Sequence, residues 1–449
     1  MPEAGGTDVR VTRAEDGTVR IGVPAAGTAF TRTVLDVAGA VLSRPVLGPP
    51  GLPAAEIHDP GRAQQWLWAV YGERTAAAVH VVSAEPPGAI AEVTPTEPDT
   101  ALAGYAARLA LGHWAARWWP ASYTDGIPAL EPDVLGLELA ALTHRCQQLF
   151  DDPEDHSDGS PVELLQAHQA ALDPLIQWWR AAGESAGPGG QLDDVLRLID
   201  DAADCAGLDG HALRRLRSSL ETGPGTDTAH DARTSNNARG PQELRMPLDL
   251  GSLFARPGDY ALAAGEPLVA GGRVIARGSG TNDWRRYPPG FVDSAENAVS
   301  WTVSAVGAGR RIGVEVVADV AAPVDGVRLA AEVRMEGGPP TRVSLARRGD
   351  VWAGRADIDV PASLPPRTRT EVAVLLPGFD PGPDPGSGPE RDLGTASGSG
   401  TGGRSDRDAV RALVRRRLAA VALHVPQDTY TRPFLAEIAA VAASAGEDF

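Results

Sequence analysis

The stretch TRVSLARRGDVWAGRADIDV, residues 341–360, decides how the second half of the chain is read. Apolar and polar residues alternate on both sides of Gly349-Asp350, the period of a half-buried strand, and the Gly-Asp pair marks a tight turn. A β-hairpin follows. Outward from it, PLVAGGRVIARG, AVSWTVSAV, RRIGVEVVADV, VRLAAEVRMEG and RTEVAVLLPGF repeat the pattern between Gly, Pro and Asp punctuation. About seven or eight such runs, spaced roughly 8–12 residues apart, predict an antiparallel β-sandwich-like domain over residues 244–378.

Before residue 221 the dominant period becomes helical. Residues 1–98 read as an α+β part, and residues 99–220 as a Trp-rich helical part of the same domain. Val9, Val11, Val19, Ile21 and Val23 alternate around Asp16-Gly17, which predicts a hairpin. In TRTVLDVAGAVL, Val34, Leu35, Ala38, Val41 and Leu42 fit one helical stripe and predict a helix. Asp59 followed by Pro60 predicts the start of another. The runs at 77–84 and 89–93 read as short strands. A helix capped by Asp99 or Thr100 should stop before Pro120, and Leu135, Leu139, Leu142, Cys146 and Leu149 recur at helical spacing. Ser160-Pro161-Val162-Glu163 is a capping box. Asp173-Pro174 should break the helix that follows it, and two more helices fit Leu192 to Ala203 and Asp209 to Leu220.

Residues 221–243 and 379–405 are rich in Gly, Pro, Ser and Asp, with little to bury, and read as linkers. Residues 406–449 read as two amphipathic helices, the first capped by Ser405 or Asp406. They need something to dock on, because isolated helices of this length are marginal in water. The fold class expected is thus α+β multidomain: a mainly helical N-terminal region with a small hairpin and strand part, an antiparallel β-sandwich-like domain, and a linked C-terminal helical pair.

Composition removes several chemistries. The 449 residues carry a net charge of −18, which disfavours nucleic acid and anionic membrane surfaces as partners. All 41 basic residues are arginine, as the codon bias of a GC-rich genome produces. Without lysine there is no amine for a Schiff base and no P-loop or kinase lysine for ATP phosphates. Cys146 and Cys205, the two cysteines, lie among apolar neighbours in helical patterns and read as buried thiols. The early acids of the N-terminus and the lack of a long apolar run predict a cytoplasmic chain.

No complete catalytic motif is present in the sequence. Gly398 to Gly403 matches a dinucleotide fingerprint as text, but no strand feeds it, so no cofactor is expected. Asp151, Asp152, Glu154, Asp155, His156 and Asp158 cluster, yet Leu165 stands where a calcium loop needs glutamate, and the cluster reads as a solvated loop rather than a metal site. His113, Tyr123 and Asp125 could outline a small polar site at the end of a helix.

Two groups of residues are candidates for binding. In residues 280–293, GTNDWRRYPPGFVD, Arg285 and Arg286 lie between Trp284 and Tyr287, a composition used in recognition loops. Seven of the ten tryptophans fall between residues 66 and 179. On a helix Trp118 lies about 40° from Trp114, but Trp119 lies about 140° away. Trp114 and Trp118 are therefore expected in the core, and Trp119, beside the Pro120 break, becomes the candidate groove residue. The functional expectation is a non-enzymatic cytoplasmic interaction or adaptor protein with protein partners, as an accessory component of a larger multi-protein system. The alternatives are an enzyme with a site near His113, Tyr123 and Asp125, and a regulatory partner of a separate NTPase.

Overall fold

In the computed structural model the chain is described at residues 9–24, 27–48, 51–94, 101–150, 160–182, 188–223, 253, 273–280, 282–306, 309–319, 322, 326–335, 339–358, 370–379, 399–423 and 432–446. It divides into two units, one of residues 1–116, 130–254 and 416–449, the other of residues 117–129 and 255–415. The two linker stretches and the acids at 151–158 lie wholly or mostly outside the described residues.

The first unit contains a six-stranded antiparallel sheet built from β1 (Val9–Arg13), β2 (Val19–Ile21), β3 (Arg32–Val37), β4 (Ala40–Pro45), β5 (Ala54–Ile57) and β6 (Ile90–Val93), in the order β3-β4-β5-β2-β1-β6. The β1–β2 hairpin turns at Asp16-Gly17 as expected. Gly17 has φ of +87°, and the Asp16 carboxylate accepts the Thr18 N–H at 3.0 Å. Pairing of Val11 with Ile21 and of Val19 with Ile57 puts these four side chains of the central strands in the core.

The segment 32–43 is the β3–β4 hairpin, not the helix its stripe suggested. Leu35, Val37, Ala40 and Leu42 are buried at strand spacing, a period that a short apolar run cannot distinguish from a helical one. Gly39 decides between them. It turns the chain at φ of +71°, its carbonyl accepts the N–H groups of His58 and Asp59, and a side chain there would strike the Asp59 carbonyl.

Helix α1 (Pro60–Tyr71) starts as predicted, with Asp59 accepting from the N–H groups of Gly61 and Arg62. Gly72 separates it from α2 (Glu73–Ala84), which replaces the strand expected at 77–84. Thr75, Ala76, Val79 and Val82 form its buried face. Alanine-rich helix propensity and that face outweigh the β preference of the valines. The strand expected at 89–93 is present as β6.

Helices α3 (Ala101–Trp118), α4 (Pro132–Arg145), α5 (Pro161–His168), α6 (Leu172–Ala182), α7 (Pro188–Cys205) and α8 (His211–Thr222) follow. In α4 every residue from Val134 to Thr143 is buried, so it is covered around its whole circumference, apolar except at Glu138 and Thr143, and forms the centre of the helical layer. The Ser160 capping box is complete: Ser160 Oγ accepts the Glu163 N–H and Glu163 accepts the Ser160 N–H. The break comes earlier than Asp173-Pro174, at a 3-10 turn over Gln169–Ala171, and Pro174 lies in the first turn of α6, where its missing donor costs little. Cys146 is buried, while Cys205 is exposed rather than buried.

The second unit holds β7 (Arg273–Ser279), β8 (Val299–Val306), β9 (Gly309–Val317), β10 (Leu329–Met335), β11 (Thr341–Arg348), β12 (Val351–Ile358) and β13 (Thr370–Leu375). They form one antiparallel sheet, β13-β10-β11-β12-β9-β8-β7, rather than two sheets face to face. Strand β11 explains the difference, because Thr341 to Leu345 pair with β10 while Ala346 to Arg348 pair with β12. The sheet curls through that strand into a half-barrel. At its far side, a Cβ on Gly280 would lie 2.8 Å from the Val372 carbonyl of β13, an approach that only glycine allows. The hairpin at Gly349 is present, with φ of +58°.

Helix α9 (Ser399–Ala422) begins within the stretch read as linker, six residues before the expected cap. Helix α10 (Leu435–Gly446) completes the fold, packed on α4 and α7 in the first unit. No helix among the described residues is long and apolar enough to cross a membrane.

Candidate functional site

In the second unit the residues singled out from sequence converge on one end of the curled sheet. Asn282 is fully buried and donates from Nδ2 to the carbonyls of Asp293, at 3.0 Å, and Ala295, at 2.6 Å. Its Oδ1 accepts the hydroxyl of Tyr287, which is itself buried. Burial, with the nearby Asp283 charge, pushes the Tyr287 phenol well above its ordinary pKa, so it stays a neutral donor.

Trp284 is buried as well and lies under the Arg411 guanidinium, 5.7 Å from ring centroid to the arginine carbon. Arg286 pairs with Glu332 at 2.8 Å, and that hydrogen bond holds the Glu332 carboxyl below its usual range. Arg285 is held by Asp283 at 3.0 Å. Burial opposes the Asp283 charge, but the hydrogen bonds and charge of Arg285 outweigh it and lower the pKa. Arg285, Arg286 and Tyr287 thus spend polar groups within the chain, and Trp284 is buried beside them.

Residues 119–128 join the same cluster. Asp293 accepts the Ser122 hydroxyl at 2.7 Å and the Ala295 N–H at 2.8 Å. Trp119 is buried, with its indole N–H donated to the Pro128 carbonyl at 3.0 Å. Trp118 is half-buried, the reverse of the order expected for this pair, while Trp114 is buried and donates to the Phe30 carbonyl at 2.9 Å. The stop at Pro120 explains the reversal. Once the helix ends, the direction of Trp119 no longer follows the helical wheel. Trp119→Ala should therefore lower the midpoint of thermal unfolding more than Trp118→Ala, because it carries the stability cost of about 3–5 kcal/mol of a buried large-to-small aromatic change. Equal shifts for the two variants would contradict this placement.

Tyr123 is exposed at the tip of the turn closed by Ser122 and Ile127, while Asp125 faces Arg411 and Arg415, each at 3.5 Å. His113 belongs to the first unit, so the trio is divided between the units. What the sequence reading missed is the arginine face of α9. Arg404, Arg407, Arg411 and Arg415 recur every three or four residues, and Arg404, Arg407 and Arg411 all meet the Glu296 carboxylate. Arg411 also donates to the Ser294 carbonyl at 2.8 Å. The spacing was legible as a helical face; the acid 111 residues before Arg407 was not.

Among the described residues no group of three or more His, Cys, Asp or Glu could hold a metal ion. An apolar hollow of about 10 Å³ lined by Leu35, Leu42, Pro53, Ala106 and Ala110 lies in the first unit, far below the roughly 300–1,000 Å³ of small-molecule sites. No protein-family model, curated protein or solved structure matches the chain.

Proposed function

We propose that this chain is a non-enzymatic cytoplasmic interaction protein, an adaptor that takes up an extended segment of a partner protein along β7. The observation that carries this reading is the edge of the seven-stranded sheet. Among the described strands β7 pairs with β8 alone, which makes it an edge strand of the seven-stranded sheet, the position at which a sheet can accept a further strand. The register slips between Val274 and Ala276, and Val274 and Ile275 are both exposed, at 51% and 41%. Strand addition would pair the outer edge of β7 and cover those two side chains. Exposed Arg277 favours an incoming strand with acidic residues.

The test is affinity purification of the full chain beside a Val274→Lys/Ile275→Lys variant, since lysine on an edge opposes strand addition. A partner on this edge should be depleted about tenfold or more from the variant, equivalent to about 1.4 kcal/mol or more of binding, with the thermal midpoint unchanged. Recovery of the same proteins at the same levels by both chains would overturn the assignment.

A further inference from the structure

In the first unit, the segment from Arg432 onward is read by side chains in the manner of a bound peptide. Arg108, on α3, donates to the Pro433 carbonyl at 3.0 Å, and Gln191, on α7, donates to the same oxygen at 2.8 Å. Glu138, on α4, accepts the Leu435 N–H at 2.7 Å while paired with Arg108. The Phe434 ring is faced by two guanidinium groups, Arg108 at 5.2 Å and Arg417 at 5.9 Å. Room for the ring depends on Gly112, where a Cβ would come 3.3 Å from Phe434 and 2.5 Å from Leu139. The groove therefore recognises backbone atoms and one aromatic ring of a short linear stretch.

That stretch carries its own organisation. Glu437 accepts the Phe434 N–H at 2.7 Å, closing the first turn of α10, and pairs with Arg417 at 2.6 Å. Residues Phe434 to Glu437 are all buried. Yet α10 has 12 residues, too few for a stable helix in isolation. Eight residues separate Leu423 from Arg432, a reach of about 30 Å when extended. Leaving the groove would strand the buried ions Arg108 and Glu138 together with an apolar helix face, so an open chain is driven to refill both.

From this we infer that the groove formed by Arg108, Gly112, Glu138 and Gln191 is an exchangeable docking site, and that residues 432–446 of a second copy of this chain are its other occupant. A second copy offers the same Pro-Phe-Leu-x-Glu chemistry and restores every contact, as segment exchange does in general. Docking within one chain has the advantage of a local concentration on the order of millimolar, so the wild-type chain is monomeric when dilute. Exchange becomes dominant when the intrachain occupant is disabled. The inference does not depend on the β7 edge, which belongs to the other unit.

The experiment uses two full-length variants. Phe434→Ala keeps the groove and spoils the segment; Arg108→Met spoils the groove and keeps the segment. Mixed at about 50 µM each, they should form a 1:1 species of twice the 46.8 kDa chain mass by light scattering, while each alone, and either mixed with the doubly substituted chain, stays monomeric. To guard against misfolding of Arg108→Met, a labelled peptide of residues 432–446 is titrated onto Phe434→Ala alone. Saturable binding is expected, weakened at least about tenfold when the peptide itself carries alanine in place of Phe434. A mixture that stays monomeric, together with a peptide that fails to saturate at about 100 µM, would overturn the inference.

Discussion

Glu138→Ala is expected to destabilise the first unit by about 3–5 kcal/mol, the cost of removing one partner from a buried ion pair. Glu138 is 1% exposed and serves three donors: Arg108, the Leu435 N–H and Gln191. Alanine leaves a guanidinium and a backbone N–H without their acceptor in a site closed to water, and an unmet buried donor costs more than its hydrogen bond contributed. Urea unfolding followed by circular dichroism should show the midpoint falling well below that of the wild type. The double variant Arg108→Met/Glu138→Leu, which removes both charges and keeps the volume, should recover most of the loss. A double variant no more stable than Glu138→Ala would show that the network is not an ion-pair problem but a packing one.

The second large effect is expected in the curled sheet. Trp352 is fully buried on β12, donates its indole N–H to the Phe291 carbonyl at 2.8 Å, and lies 5.7 Å from the Arg347 guanidinium carbon. It ties the middle of the sheet to the loop that leads to Asp293. Trp352→Ala should cost about 3–5 kcal/mol through the cavity it leaves, and Trp352→Phe less, since phenylalanine fills most of the volume and leaves only the Phe291 carbonyl unmet. Thermal unfolding of the two variants measures the order. If Phe is as damaging as Ala, the hydrogen bond rather than the volume holds the loop.

Much of the secondary structure was legible in the sequence wherever local chemistry alone sets it. The Asp16-Gly17 turn, the Asp59 cap and the Ser160-Glu163 capping box act within four residues, and each is present. The strands from β8 to β13 were legible from their alternation. The errors lie where local signals tie: Val34 to Leu42 fits a helix and a hairpin equally until Gly39 meets Asp59, and the valines of α2 are overruled by the face that Thr75, Ala76, Val79 and Val82 bury. The Gly-Ser start of α9 reads as a linker because its propensity is low; the ion pairs with Glu296 lie downstream, at Arg404 and Arg407.

The sequence by itself determined an acidic, lysine-free chain with helices in its first half, antiparallel strands in its second and amphipathic helices at its end. Composition and periodicity suffice for that, because they depend on residues close together. Only the tertiary structure decided that the strands make one curled sheet, that Trp119 is buried and Trp118 less so, and that Glu138 meets Leu435 across 297 residues. Those facts depend on which charges and aromatic rings find partners far away in the chain, and no local pattern encodes the partner of a buried ion.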